Sequence, residues 1–382
     1  MPFAAALSQH PLATHATGEV VGRVLEILGT EPDVVIVFVS IAHLGSLEDI
    51  ATTIRVTLSP KALIGVTSHS VLGGPYEAEG QAAISIWAAR HSPVVPIRIS
   101  GSPIEDTIAY SGLPDTASIP GSTLILLADP YSFPIGPFLN GITHQLPDLQ
   151  VIGGFASAAQ GPGGNRLACD GEVSTDGAVG LLFGPEWPIT ASVSQGCRPI
   201  GDPFTVTGAE RSMVSQIAGV TALTKIERVV AELDPADRNI ATQGLYLGRL
   251  VDDHNIEPGR GDFLVRSIRG VDRTTGAIAV SDTVAVGDTV QFHVRDATTC
   301  GEDLDHMLAD AAKDDPPVAS ALLFTCTGRG ARLFDEPDHD AATVSEIVGP
   351  AVAGMFCAGE IGPIGSRPFV HSLTATMALF RE

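Results

Sequence analysis

The chain is poor in lysine: among 382 residues there are three, Lys61, Lys225 and Lys313. With 44 acidic residues against 22 lysines and arginines, the formal net charge is −22. A field of that sign repels phosphate backbones and anionic headgroups, so neither nucleic acid nor a bare membrane surface is expected as a partner. Cysteine is scarce too, with five, at 169, 197, 300, 326 and 357. The number is odd and no two form a C-x-x-C pair, which argues against a disulfide framework and a structural zinc site. His10, His15, His43, His69 and His91 are too dispersed to suggest a metal, and no cofactor is expected. No stretch reaches the ~18 apolar residues of a spanning helix. The opening residues, MPFAAALSQHPLATHATGE, lack a basic region and a long apolar run, so they are not read as a signal peptide. A reducing cytoplasm is the expected location.

What the chain does have is apolar bulk and many turns. Its hydrophobic fraction is 44%, with 41 glycines and 27 prolines scattered along it. That composition and length suit a globular protein of two domains.

One pattern recurs three times: an apolar strand, an amphipathic helix, a second strand and a glycine-containing turn. The first copy opens with VVIVFVS, ending at Ser40, carries Ile50, Ile54 and Leu58 at helical spacing, and closes with ALIGVTSHSVLGG around Gly65. The second opens with TLILLAD, ending at Asp129, carries Phe138, Ile142 and Leu146, and closes with VIGGFASAAQGPGG. The third opens with ALLFTCTGRG, carries Val344, Ile347 and Val348, and closes with VAGMFCAGEIGP. The spans Ile36–Gly65, Leu126–Gly153 and Leu323–Gly354 are 29, 27 and 31 positions, the length a strand–helix–strand unit needs to return parallel. Elsewhere, residues 220–233 predict a helix. FLVRSIRG, AIAVSDTV and TVQFHVRD predict an antiparallel meander whose last strand has one wet face, carrying Gln291, His293 and Arg295. The expected fold is α/β, with mixed sheets built from the repeated units plus the meander. Two domains are expected, 1–220 with two copies and 221–382 with the meander and the third.

Ligands of parallel α/β units gather beyond the C-terminal strand ends. This points to Ser40, Asp129 and Thr327 through Gly330 after the opening strands, and to Thr67 and Ser68, Phe155 through Ser157, and Cys357 through Glu360 at the closing turns. Arg329, between Gly328 and Gly330, either presents its fork to a carboxylate or phosphate or pairs with Asp335 or Glu336. Glu360, in G-E-I-G-P, either holds an amine or pairs with Arg367. Cys326 and Cys357 end corresponding strands, and His371 is the nearest candidate base for a thiol nucleophile. Against that, unbridged cysteine is mostly a small buried hydrophobe. No P-loop, G-x-S-x-G or H-E-x-x-H pattern occurs.

These segments resemble the FIST family. IGVTSHS, VIGGFASA, STDGAVGLLFG and QGCRPIGDPFTVT are similar to FIST N, and LFTCTGRGARLF, GMFCAGEIGPIG and HSLTATMALF to FIST C. The resemblance implies a sensory module of signal transduction that binds a small ligand, amino acids among the classes. It places the family's GRG at Gly328, Arg329 and Gly330, its GEIGP at Gly359 through Pro363, and its histidine at His371. No kinase, cyclase or F-box segment accompanies the motifs, so output through a separate signalling protein is expected. Two other readings stand beside the small-ligand sensor: a protein-binding adaptor, and a cysteine-dependent enzyme using Cys326 or Cys357 with His371. The expected reading is non-enzymatic.

Overall fold

The computed structural model describes residues 2–105, 107–113, 121–252, 255 and 258–382. It separates into two compact units. One is Met1–Val193 together with Leu304–Glu382; the other is Ser194–Asp303. The division expected near residue 220 follows the order of motifs along the chain. The spatial units are cut differently, because the third strand–helix–strand copy joins the first two.

In the first unit each copy forms the expected parallel pair. Val34–Ser40 lies beside Ala62–Ser68, Thr123–Ala128 beside Gln150–Phe155, and Val318–Cys326 beside Val352–Cys357. The connecting helices are Leu47–Leu58, Ile135–Gln145 and His339–Val348. Leu126 sits directly opposite Gly153, and Leu323 opposite Gly354. A Cβ at either glycine would come within 1.9 Å of the facing carbonyl oxygen, so only glycine permits this approach.

After its closing strand every copy makes a hairpin and then a return strand. The return strands Ile84–Ala89, Ala178–Phe183 and Ala375–Arg381 run antiparallel beside the opening strand of their own copy. The hairpins do not stay at home. The first copy's (Val71–Gly73 with Tyr76–Ala78) pairs with the closing strand of the third, Leu72 facing Gly354. The second copy's (Leu167–Cys169 with Glu172–Ser174) pairs with the first, Ala168 facing Gly65. The third copy's (Glu360–Ile364 with Arg367–His371) pairs with the second, Ile361 facing Gly153. The exchange is cyclic, and the sheets are mixed because each holds one parallel and several antiparallel pairs.

The strands read as nearly unbroken apolar runs because both faces are covered. Ile36, Phe38, Ile125, Leu127, Leu322 and Phe324 point into one core shared by the three sheets. Their neighbours Val35 and Val37, Leu124 and Leu126, and Leu323 point outward, each set against its own helices. The outer faces bury Ile50 and Ile54, Phe138 and Ile142, and Val344 with Leu304. The expected α/β architecture of mixed sheets and repeated units is therefore the one observed.

The second unit is a closed antiparallel barrel. Arg198–Glu210 pairs with Thr289–Val294, which pairs with Tyr246–Leu250, then Phe263–Asp272, Ala277–Val280 and Met213–Ile217. Met213–Ile217 pairs again with Arg198–Glu210 and closes the ring. Two long strands serve both halves by bending at register shifts, between Ile200 and Phe204 and between Ile268 and Gly270. The expected helix is Ala222–Glu232, started by Thr221, whose hydroxyl accepts from the Thr224 N–H. The meander needs correction. The strand Thr289–Val294 does not follow Ala277–Val280 in the sheet but lies between Tyr246–Leu250 and Arg198–Glu210. Nor is its polar face wet: Gln291 and His293 are both buried, Gln291 donating to the Gly201 carbonyl. Ring closure turns that face toward protein.

Among the described residues no helix is long and apolar enough to cross a membrane.

Candidate functional site

The C-terminal strand ends of the three copies meet, and cyclic backbone bonds lock them. Thr67 N–H donates to the Arg166 carbonyl, Phe155 N–H to Gly359, and Phe356 N–H to Ser70. This superposes the copies residue by residue. Val71, Leu167 and Glu360 then occupy one slot, each the first residue of an exchanged hairpin's pairing, facing Met355, Val66 and Gly154 respectively. Val71 and Leu167 belong to the shared apolar core. In the third copy that slot holds a carboxyl group.

Glu360 is completely buried. Its Oε2 accepts from the Thr374 N–H at 3.1 Å and from the Thr374 hydroxyl at 2.8 Å. Its Oε1 accepts no hydrogen bond among the described residues. Burial pushes its pKa up to about 8, against the opposing pull of Thr374, the Cys326 thiol and the Arg329 guanidinium. At neutral pH it is mostly a protonated acid. The ion pair with Arg367 considered from sequence does not form; Thr374 supplies the contacts instead. His371 lies across the hairpin from Glu360, and its Nε2 is 3.1 Å from the Gly362 carbonyl oxygen, so its ring is engaged by backbone.

Arg329 is also fully buried, and its partner is neither Asp335 nor Glu336. Nε and Nη2 donate to the two oxygens of Asp340 at 2.6 and 2.8 Å. Asp335 and Glu336 follow Arg329 closely in sequence, but Asp340 reaches it from the first turn of the third-copy helix. Asp340 also accepts from the Thr325 hydroxyl. Glu77, on the hairpin of the first copy, accepts from the Ala341 N–H at that same helix start. Burial, then the charge of Asp340, pushes Glu77 up to about 8 as well. Gly330 adopts a φ of 71° and lies against the Glu79 carboxylate, which accepts from the Ala331 N–H; a Cβ at Gly330 would come within 2.6 Å of it. Gly328 sends its N–H toward the Cys326 sulfur at 3.5 Å.

Cys326 and Cys357 are direct register partners at the ends of adjacent parallel strands. Cys357 is fully buried, and desolvation followed by the nearby charge of Glu360 raises its pKa well above the ordinary thiol value. Ser157 bonds the Phe356 carbonyl and the Ser68 hydroxyl, and accepts from the His69 N–H. It therefore joins all three copies beside Cys357. Asp129 stands apart. Its oxygens accept from Asn165, the Ser132 hydroxyl and the Tyr131 N–H, all within the second copy, so it fixes that copy's own turn.

Of the residues expected from sequence, Arg329, Glu360, Cys326, Cys357, Gly328 and Ser157 come together. Ser68, expected at the first closing turn, joins them through Ser157, whereas Asp340, Glu77 and Thr374 were not expected. Asp340 had a signal: an acidic residue opening the third helix, where a carboxylate suits the exposed amides. Glu77 had none, because its role depends on the hairpin exchange. The described residues hold no group of three or more His, Cys, Asp or Glu side chains arranged for a metal ion.

Comparison with known proteins places this architecture. Residues 33–220 match the FIST N domain and residues 222–363 the FIST C domain. An uncharacterized protein of Mycobacterium tuberculosis (strain H37Rv) is 37% identical over 357 residues, covering 93% of each chain. An uncharacterized protein of Mycobacterium bovis is 36% identical over 373 residues, covering 97% of this chain and 96% of its own. With both domains matched in order along most of its length, the chain belongs to the FIST family.

Proposed function

We propose that this protein is a cytoplasmic sensory module that binds a small amine-bearing ligand, an amino acid being the expected class, and passes its output to a separate signalling protein. The observation that carries the reading is Glu360: a sealed carboxyl group, one oxygen unbonded among the described residues, in a slot that is aliphatic in the other two copies. Burying such an oxygen with its hydrogen bond unmade costs about 1–3 kcal/mol. An apolar side chain fits the same slot elsewhere in the unit, so packing does not require the acid. A ligand ammonium at Oε1 would supply the missing partner and favour ionisation of the carboxyl. Arg329 has a different part from the one its flanking glycines suggested. Engaged on Asp340, it holds the turn that carries Cys326 and Gly328, rather than offering its fork to the ligand.

Family membership supports the sensory role. The non-enzymatic reading is supported by Cys357, whose thiol is buried and raised, and by the engagement of His371 with the Gly362 carbonyl. These are unfavourable settings for a cysteine–histidine catalytic pair acting on a substrate.

The test is thermal unfolding against amino acids, simple amines and organic acids, with Glu360→Gln alongside. A ligand at a hundred times its Kd stabilises by about 2.7 kcal/mol, a rise of several degrees. Gln copies the neutral acid in shape, so the variant is expected to fold. A rise with amines in the parent that is lost in Glu360→Gln supports the reading. No rise with any amine or amino acid sinks it and leaves the protein-binding adaptor.

A further inference from the structure

We propose that Cys326 and Cys357 form a reversible dithiol–disulfide pair, oxidised by a hydroperoxide. The pair is built into the register of the third copy. The two residues end neighbouring parallel strands and lie directly opposite one another, so their side chains leave the same face. Facing residues on adjacent strands have Cα atoms about 4.8 Å apart, inside the roughly 4.4–6.8 Å that bridged cysteines span. The superposition of copies gives a comparison within the same molecule. At these two positions the first copy has Ser40 opposite Ser68, and the second has Asp129 and Ala156. The third alone carries two sulfurs. Space is kept for them by Gly154, where a Cβ would fall 2.3 Å from the Cys357 sulfur.

Access sets the order of events. Cys326 is 9% exposed and Cys357 is fully enclosed, so within the pair a small oxidant meets Cys326 first. The Cys326 sulfur attacks one peroxide oxygen and the O–O bond breaks. The displaced oxygen leaves as water with the thiol proton, and Cys326 becomes a sulfenic acid. The Cys357 sulfur then attacks the Cys326 sulfur. The S–O bond breaks, and the hydroxyl departs as a second water with the Cys357 proton. Two electrons have passed from two sulfurs to one hydrogen peroxide, giving one disulfide and two waters. A small thiol reverses the step by exchange. The new bond lies beside Glu360, so the oxidation state of the pair reaches the buried carboxyl group.

The experiment treats the native protein with hydrogen peroxide, blocks remaining thiols after denaturation, counts them and maps the peptides. Arg329 and Arg332 place the two cysteines on different tryptic peptides. The expected result is a fall from five thiols to three, with a Cys326–Cys357 linked peptide two hydrogens lighter than its parts, restored to five by dithiothreitol. Cys326→Ser should keep its other four thiols under the same dose. Five thiols remaining, a link between other cysteines, or Cys326 driven to sulfinic acid without a linked peptide overturns the proposal. None of these readouts involves the ligand, so this test and that of the amine site fail separately.

Discussion

Arg329 and Asp340 form a two-pronged ion pair that solvent does not reach: Nε to one carboxylate oxygen, Nη2 to the other, both side chains fully buried. Burial works most strongly against the charge on Asp340, but the charge and hydrogen bonds of Arg329, joined by hydrogen bonds from His339 and Thr325, together hold that carboxyl well below the usual range. The pair ties the turn after the third opening strand to the helix that follows.

Removing one member leaves the other charged and enclosed. Asp340→Asn should therefore destabilise the first unit by about 3–5 kcal/mol. Both tryptophans, Trp87 and Trp187, lie in that unit's shared core, so fluorescence-detected urea unfolding reads it directly. Adding Arg329→Met should recover part of the loss, because the unpaired charge is then gone. A double variant as unstable as the sum of the singles would argue against this account.

Stability should fall as pH rises from 6.5 to 8. Glu77 and Glu360 are each pushed up to about 8, mainly by burial, while unfolded glutamates ionise near 4.5. Through that window the native state holds protons that the unfolded chain has lost, so the stabilising contribution drains away until the native groups ionise too. Glu77→Gln and Glu360→Gln should each flatten the dependence of the fluorescence midpoint. A midpoint that climbs over this range would contradict the assignment.

His293 should act in the opposite sense in the barrel. Burial pushes it down to about 4 from 6.5, so on acidification the unfolded chain takes up a proton that the native unit refuses. Barrel stability should decline from pH 6.5 toward 4, and His293→Phe should remove that decline. Hydrogen exchange of Tyr246–Leu250 and Thr289–Val294 against pH measures it without the tryptophans.

Gly154→Ala should destabilise by about 1–3 kcal/mol through overpacking, since the new methyl falls on the Cys357 sulfur. With Cys357→Ala in place the same substitution should cost much less. Urea midpoints of the four proteins give the coupling, and additive effects would mean that the sulfur is not the obstacle.

The repeat was legible because buried parallel strands announce themselves as apolar runs, and because Gly153 and Gly354 mark where a strand passes a carbonyl too closely for any Cβ. The first copy fits less tightly: Ile36 faces Ile64, with Gly65 opposite Val37. Which sheet a hairpin joins is not a local property. Nothing around Glu77 shows that it will cap the helix of another copy. The same reason hid the barrel, where Thr289–Val294 follows Ala277–Val280 in sequence but pairs elsewhere. Glu360 and Arg329 were visible as charges among glycines. Their partners Thr374 and Asp340 were not, because the choice among nearby polar residues depends on how the turns fold back.

The cyclic trade of hairpins also bears on how the first unit comes into being. Val71–Ala78 leaves the ribosome long before the strand it must join, Val352–Cys357. The first sheet can borrow its hairpin from the second copy beforehand, but the second must wait for Glu360–Ile364. Until then the second sheet has an open edge and the first copy's hairpin has no partner strand, both of the kind that template unwanted pairing. The segment Leu304–Glu382 therefore acts as a keystone: a nascent chain lacking it has its ring still open.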